Sequence, residues 1–154
     1  MNTKESTITR LAIENDAVAL ARLGETLAGE ALDEATRINN LQSILSSSHD
    51  RLWILEQGGE LVAYLHAVQM TRLASPPFIE IVGLVVSPTA RRQGYAAQLL
   101  QQVEAWAGDL GLSLRVRCRE DREKGNEFYR ALGFSLSKRQ NVYVKTTSVT
   151  NNDA

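Results

Sequence analysis

The chain has 154 residues, a net charge of −1, 44% apolar and 23% charged side chains, and one cysteine, Cys118. This length buries a substantial core without staples, and the near-neutral charge gives no reason to expect nucleic acid or an anionic membrane as partner. A single thiol excludes an intrachain disulfide and any cysteine-rich metal site, so no metal is expected.

The N-terminal MNTKESTITR is polar and lacks the apolar stretch of a secretory signal. No run approaches the roughly 18 apolar residues of a spanning helix. A reducing, cytoplasmic location and no membrane contact are therefore expected. Neither repeats nor low-complexity linkers break the chain, which predicts a single domain over 1–154. Its core spans about 7–145, and 146–154 is a polar tail.

Thr7–Ile13 alternates and is β-branched, predicting a first strand. Asn15 or Asp16 can cap a helix that carries Val18, Leu20, Leu23 and Leu27 at helical spacing. A second helix is expected from Asp33 to Leu45, with Ile38, Leu41, Ile44 and Leu45 on its apolar side. RLWILEQ, Gly58-Gly59 and ELVAYLHAVQM read as a β-hairpin, since two glycines supply the positive φ of a tight turn. Ser75-Pro76-Pro77 is expected to break the chain. FIEIVGLVV follows as a strand buried on both faces.

A helix is then expected to about Ala107, with Tyr95, Leu99, Val103 and Trp106 as one stripe and Gln98, Gln101 and Gln102 on the wet side. In LSLRVRC, Leu114 and Val116 alternate with Arg115 and Arg117, predicting a strand. REKGNEFYRAL is a short amphipathic helix ended by Gly133. FSLSK and NVYVK are expected to close the chain as an antiparallel pair. The fold class is α/β (α+β), in the order β-α-α-β-β-β-α-β-α-β-β: a mixed sheet flanked by helices.

Between the apolar strand and the long helix lies VVSPTARRQGYAAQLL, Val85 to Leu100. A helix N-terminus has unpaired N–H groups and a partial positive charge, and glycine lets a bulky anion approach the backbone closely. Here Gly94 has no side chain, Ala96 keeps the next turn slim, and Arg91 and Arg92 add positive charge. This is the chemistry of a pyrophosphate cradle. The same short pattern also serves as a plain strand-to-helix turn. It is neither a Walker loop nor a dinucleotide fingerprint, because Gly-Lys-Ser/Thr and Gly-x-Gly-x-x-Gly are absent.

The segment FIEIVGLVVSPTARRQGYAAQLL resembles the acetyl-CoA-binding motif of the GNAT N-acetyltransferase superfamily, Arg/Gln-x-x-Gly-x-Gly/Ala after an apolar strand ending in Val-x-Pro. NEFYRALGF, Asn126 to Phe134, is similar to the same family's Asn-x-x-Phe-Tyr-x-x-Leu-Gly-Phe segment. With the element order, the resemblance spans about residues 7 to 145. It implies a mostly antiparallel sheet flanked by helices, with acetyl-CoA as cosubstrate and no metal.

Carried onto this chain, the resemblance implies that the backbone of Leu84, Val85 and Val86 pairs with the pantetheine arm. The amides of Arg91, Arg92, Gln93, Gly94, Tyr95, Ala96 and Ala97 then hold the pyrophosphate. Asn126 matches a position that contacts the cofactor arm, although it also suits a helix-decorating role. Tyr129 matches a tyrosine near the sulfur that protonates the leaving thiolate; a phenol, with a pKa of about 10, is neutral at pH 7 and can donate. Phe128 and Tyr129 are adjacent, so at least one of them can be packing only.

An ammonium must lose a proton before it attacks. Glu80 interrupts an apolar strand, where an acid is costly unless it is paired or faces a cleft, and is the candidate base acting through water. Its separation from Gly94 is similar to that between base and cradle glycine in the histone-acetylating branch. The competing role is an acid paired with an arginine such as Arg72, and ordered water can replace a dedicated base. His66 can face the cleft, but a lone histidine is more often a satisfied structural residue. His49 reads as solvated and Cys118 as a small buried hydrophobe.

The resemblance thus implies an N-acetyltransferase acting directly on a primary amine of a small molecule or peptide. Glu30, Asp33 and Glu34 are acids that could draw a cation. The alternatives are a CoA-binding sensor or scaffold without turnover, and an acyltransferase using another acyl-CoA. A homodimer through the C-terminal strands or the helical arm is left open.

Overall fold

The computed structural model describes residues 6–25 and 32–148. Two compact units are distinguished, Met1–Cys118 and Arg119–Ala154. In the first, β1 (Thr7–Leu11), α1 (Ala17–Glu25), α2 (Glu34–Ser46), β2 (Asp50–Gln57), β3 (Glu60–Arg72), β4 (Ser75–Val86), α3 (Tyr95–Leu110) and β5 (Ser113–Val116) follow one another. The second contains α4 (Glu123–Ala131). Leu27 and Glu30 lie outside the described residues.

The five strands form one sheet in the order β1-β2-β3-β4-β5. Three pairings are antiparallel, and β4 runs parallel to β5. A parallel pair needs a crossover, and α3 supplies it. Successive strand residues face opposite sides, so the strand pattern assigns the helices to their layers. Leu52 and Ile54 of β2 pack with Leu20 of α1 and Leu41 of α2. Trp53, on the opposite face of β2, meets Trp106 of α3 edge-on at 5.8 Å. Tyr95, Leu99 and Val103 of α3 are buried with it, as the helical spacing predicts, and so is Leu100; Gln101 and Gln102 stay exposed, whereas Gln98 is half-buried.

Local chemistry sets the ends of the elements. Asp33 caps α2, its carboxylate accepting from the Thr36 N–H at 2.7 Å. A 3-10 turn, Glu14–Asp16, precedes α1, and the Ile13 N–H donates to Asp16 Oδ2 at 2.8 Å. Gly58 and Gly59 both have positive φ, 56° and 83°, as the tight β2–β3 turn requires. Among the described residues, no helix is long and apolar enough to cross a membrane.

Two expectations are corrected. Ser75-Pro76-Pro77 does not break the chain but opens β4, directly after a two-residue turn at Leu73–Ala74. Proline lacks an N–H yet is accepted at a strand's first residues, where the ladder is just beginning. FSLSK and NVYVK do not pair: residues 135–148 have no regular secondary structure, and Leu136, Val142, Tyr143 and Val144 are exposed. Alternation marks a segment able to form a strand, but only ladder hydrogen bonds make it one.

Candidate active site

The sheet is irregular where β4 changes partners. Its register to β3 runs His66↔Gly83 and then Ala67↔Ile81, so Val82 is an extra residue, a β-bulge. β5 pairs only with Phe78–Ile81. Beyond the bulge, the other edge of Val82–Val86 has no strand partner among the described residues. Such an edge presents unpaired N–H and C=O groups that an extended ligand can satisfy. Leu84, Val85 and Val86 lie on this edge. β4 is therefore buried on both faces only over Phe78–Ile81, and Val82 is half exposed.

The chain then turns through Pro88–Ala90 into the cradle. Arg92 and Gly94 both adopt left-handed conformations, with φ of 64° and 76°. A Cβ at Gly94 would meet nothing within 4 Å, so open space lies above this backbone. The first intrahelical bond of α3 joins the Gln98 N–H to the Gly94 carbonyl at 3.1 Å. The amides of Gly94, Tyr95, Ala96 and Ala97 precede it and carry the positive end of the helix. Arg91, Arg92 and Gln93 are exposed beside them. Buried Tyr95 anchors the loop by donating its hydroxyl to Gln93 Oε1 at 2.8 Å.

On the sheet face toward α1 and α2 lies a cavity of about 280 Å³, lined among others by Leu20, Leu41, Arg37, Tyr64, His66 and Gly83. Burial pushes the Tyr64 phenol up. No carboxylate stands among the described lining residues. The register places Asp50, Val68, Glu80 and Arg115 in one transverse row on this face.

Glu80 is buried, and its Oε1 accepts from Arg117 Nε at 2.5 Å. The competing role, an acid paired with an arginine, is met by Arg117, while Arg72 stacks over the Phe78 ring at 5.1 Å. The neighbouring Asp50 binds His66, with 2.6 Å between Oδ2 and Nε2. Sequence reasoning missed this pair because its members lie sixteen positions apart on different strands, without a motif. His49 is exposed, and Cys118 is half-buried rather than buried.

Asn126 and Tyr129 belong to α4, in the second unit. The Asn126 amide donates to the carbonyls of Arg119 at 2.9 Å and Arg122 at 2.7 Å, fastening the start of the helix. The Tyr129 ring sits edge-on to Phe128 at 5.2 Å and to Phe134 at 5.7 Å.

The profile of the Acetyltransferase (GNAT) family matches residues 14–134. Aminoglycoside N(6')-acetyltransferase type 1 of Serratia marcescens is 30% identical over 115 residues, which cover 69% of this chain and 77% of that protein. Two solved structures of aminoglycoside N-acetyltransferase AAC(6')-Iy are similar in fold. The one with CoA has a TM-score of 0.84 at 19% identity, covering 96% of this chain and 99% of the other. The one with the bisubstrate analog CoA-S-monomethyl-acetylneamine has a TM-score of 0.81 at 21% identity, covering 92% and 99%.

Proposed function

The chain belongs to the Acetyltransferase (GNAT) family, and on that premise we propose that it moves an acetyl group from acetyl-CoA to a primary amine of a small molecule. The observation that carries this reading is the continuity of three features in one unit. A β4 edge with no strand partner among the described residues leads from the bulge to a left-handed loop at the mouth of α3, and a cavity opens on the sheet face beside the bulge.

In this reading the edge of Leu84–Val86 takes the pantetheine arm. The amides of residues 91–97 take the pyrophosphate, with Arg91 and Arg92 adding charge. The thioester then ends near Val82 and Gly83, and the amine enters from the cavity. Glu80 receives a proton from the nitrogen through water, and Tyr129 returns one to the departing thiolate. Asn126 is assigned to the cofactor arm on its motif alone.

The Serratia relative and AAC(6')-Iy are named for aminoglycosides, and these polycationic amines are one candidate class. The described cavity lining combines apolar side chains such as Leu20, Leu41 and Leu52 with Arg37, Tyr64 and His66, which suits an amine carried on an apolar body. Purified protein should therefore bind CoA in calorimetry and release thiol from acetyl-CoA with phenethylamine, and the same assay with sisomicin tests the polycationic class. Turnover with neither amine, despite CoA binding, would favour the non-catalytic alternative.

A further inference from the structure

Acyl transfer to an ammonium obliges the nitrogen to give up two protons, one before it attacks and one after the carbon–nitrogen bond has formed. Glu80 accounts for one acceptor in the reading above, on which this inference rests. We propose that His66, held by Asp50, is a second proton acceptor for the acceptor nitrogen and takes the proton that the ammonium sheds before attack, leaving Glu80 the one shed afterwards.

The geometry of the pair sets its chemistry. Asp50 Oδ2 lies 2.6 Å from His66 Nε2, and Asp50 Oδ1 accepts from the Ser47 hydroxyl at 2.7 Å, so both carboxylate oxygens are fixed. A carboxylate can only accept, which places the proton of the neutral ring on Nε2 and leaves a lone pair on Nδ1. An imidazolium formed by protonating Nδ1 is then stabilised by the carboxylate behind it.

Position supports the role. The ring lines the cavity, and its side chain is only 18% exposed. His66 stands directly across the ladder from Gly83, at the bulge where the unpaired edge of β4 begins. Other titratable or charged groups on this face include Tyr64 of β3, Glu80 of β4, Arg37 of α2, Arg115 of β5, Arg117 just beyond that strand, and, toward β1, Arg10 with its partners Asp16 and Glu56. The residues of α1 that line the cavity, Ala17, Leu20, Ala21 and Gly24, carry no charge.

The step balances. The nitrogen–carbon bond forms as the carbon–sulfur bond breaks, and two protons leave the original ammonium. In net terms one ends on the CoA thiol and the other passes to solvent from the protein's acceptors.

Two isosteric amines separate proton transfer from mere cavity structure. Phenethylamine is an ammonium at neutral pH, whereas its β,β-difluoro analogue is largely uncharged there and needs no first deprotonation. In the full chain, His66→Gln is expected to lose roughly 100-fold in kcat/KM for phenethylamine. It should lose only a few-fold for the difluoro analogue, with acetyl-CoA affinity unchanged. Asp50→Asn, which keeps the ring in place while removing the charge behind it, should show the same selectivity to a smaller degree. Equal losses on both amines, or no loss on either, would overturn the assignment while leaving the acyltransferase reading intact. A wild-type chain that takes up CoA yet acetylates neither these amines nor sisomicin would overturn that reading and this inference together.

Discussion

Gly83 stands opposite His66 across the β3–β4 ladder, and a Cβ built at position 83 would come within 3.5 Å of Tyr64 Cε2 and 3.7 Å of His66 Cβ. These are ordinary contact distances, so alanine fits here, while a larger side chain fills the cavity at its junction with β4. Gly83→Leu should therefore raise the KM for an acceptor amine by about tenfold or more, the order expected when a well-placed steric block costs over 1.4 kcal/mol. The affinity for CoA, measured by calorimetry, should stay within a few-fold. A parallel loss of CoA binding would contradict the separation of the two subsites.

The cradle passes through two left-handed positions, of which only one carries strain. Glycine adopts φ of 76° at position 94 freely, and open space surrounds its missing Cβ. Gly94→Ala should thus cost about 1 kcal/mol of stability through its backbone alone, and should weaken CoA binding by intruding where the anion approaches. Arg92, at φ of 64°, shows the opposite case. Arg92→Gly should leave stability equal or higher in thermal unfolding while weakening CoA, most visibly at low salt.

Much of this arrangement was legible in the amino-acid sequence because it rests on local rules. The apolar stripe of α3, the glycine pair of the β2–β3 turn and the Arg-rich loop before Gly94 are each written within a few consecutive residues. What escaped is nonlocal. The bulge at Val82 depends on how β3 and β4 come into register, and no residue type announces it. Arg117 rather than Arg72 meets Glu80 because β5 runs parallel to β4 and brings Arg115 level with Glu80. The closing strands were anticipated from alternation alone, although a strand exists only where a ladder receives it.

Tyr129 is assigned to the leaving thiolate by its motif, and substitution can test that without dismantling the helix. Tyr129→Phe keeps both ring contacts, to Phe128 and Phe134. The variant should retain CoA affinity and lose about 100-fold or more in kcat, the range of a missing general acid. Unchanged kcat would return Tyr129 to a packing role.

Acid should destabilise the fold in a way that can be traced to one network. Arg10 reaches Asp16 through two 2.8 Å bonds and Glu56 through one of 2.6 Å. The hydrogen bonds from the guanidinium hold the Asp16 carboxyl below the usual carboxylate range, against the opposing effect of burial. A carboxyl whose folded pKa lies below its unfolded value stabilises the native state fully above the unfolded pKa, about 4. That contribution is lost as pH falls through the folded value. Asp16→Asn should accordingly cost about 2 kcal/mol at neutral pH. The gap to wild type should narrow below about pH 4, as followed by urea unfolding.

The Glu80–Arg117 pair should respond asymmetrically to the loss of either partner. The Arg117 side chain is 55% exposed and that of Glu80 only 9%. Glu80→Gln leaves a guanidinium that water can solvate, so the cost should be small, about 1 kcal/mol. Arg117→Ala strands a carboxylate in the sheet, where removal of one partner from a buried pair costs about 3 kcal/mol. Denaturant midpoints measure the difference at neutral pH. A larger loss for Glu80→Gln than for Arg117→Ala would mean that the acid serves as the anchor of the transverse polar row, and that Arg117 only screens it.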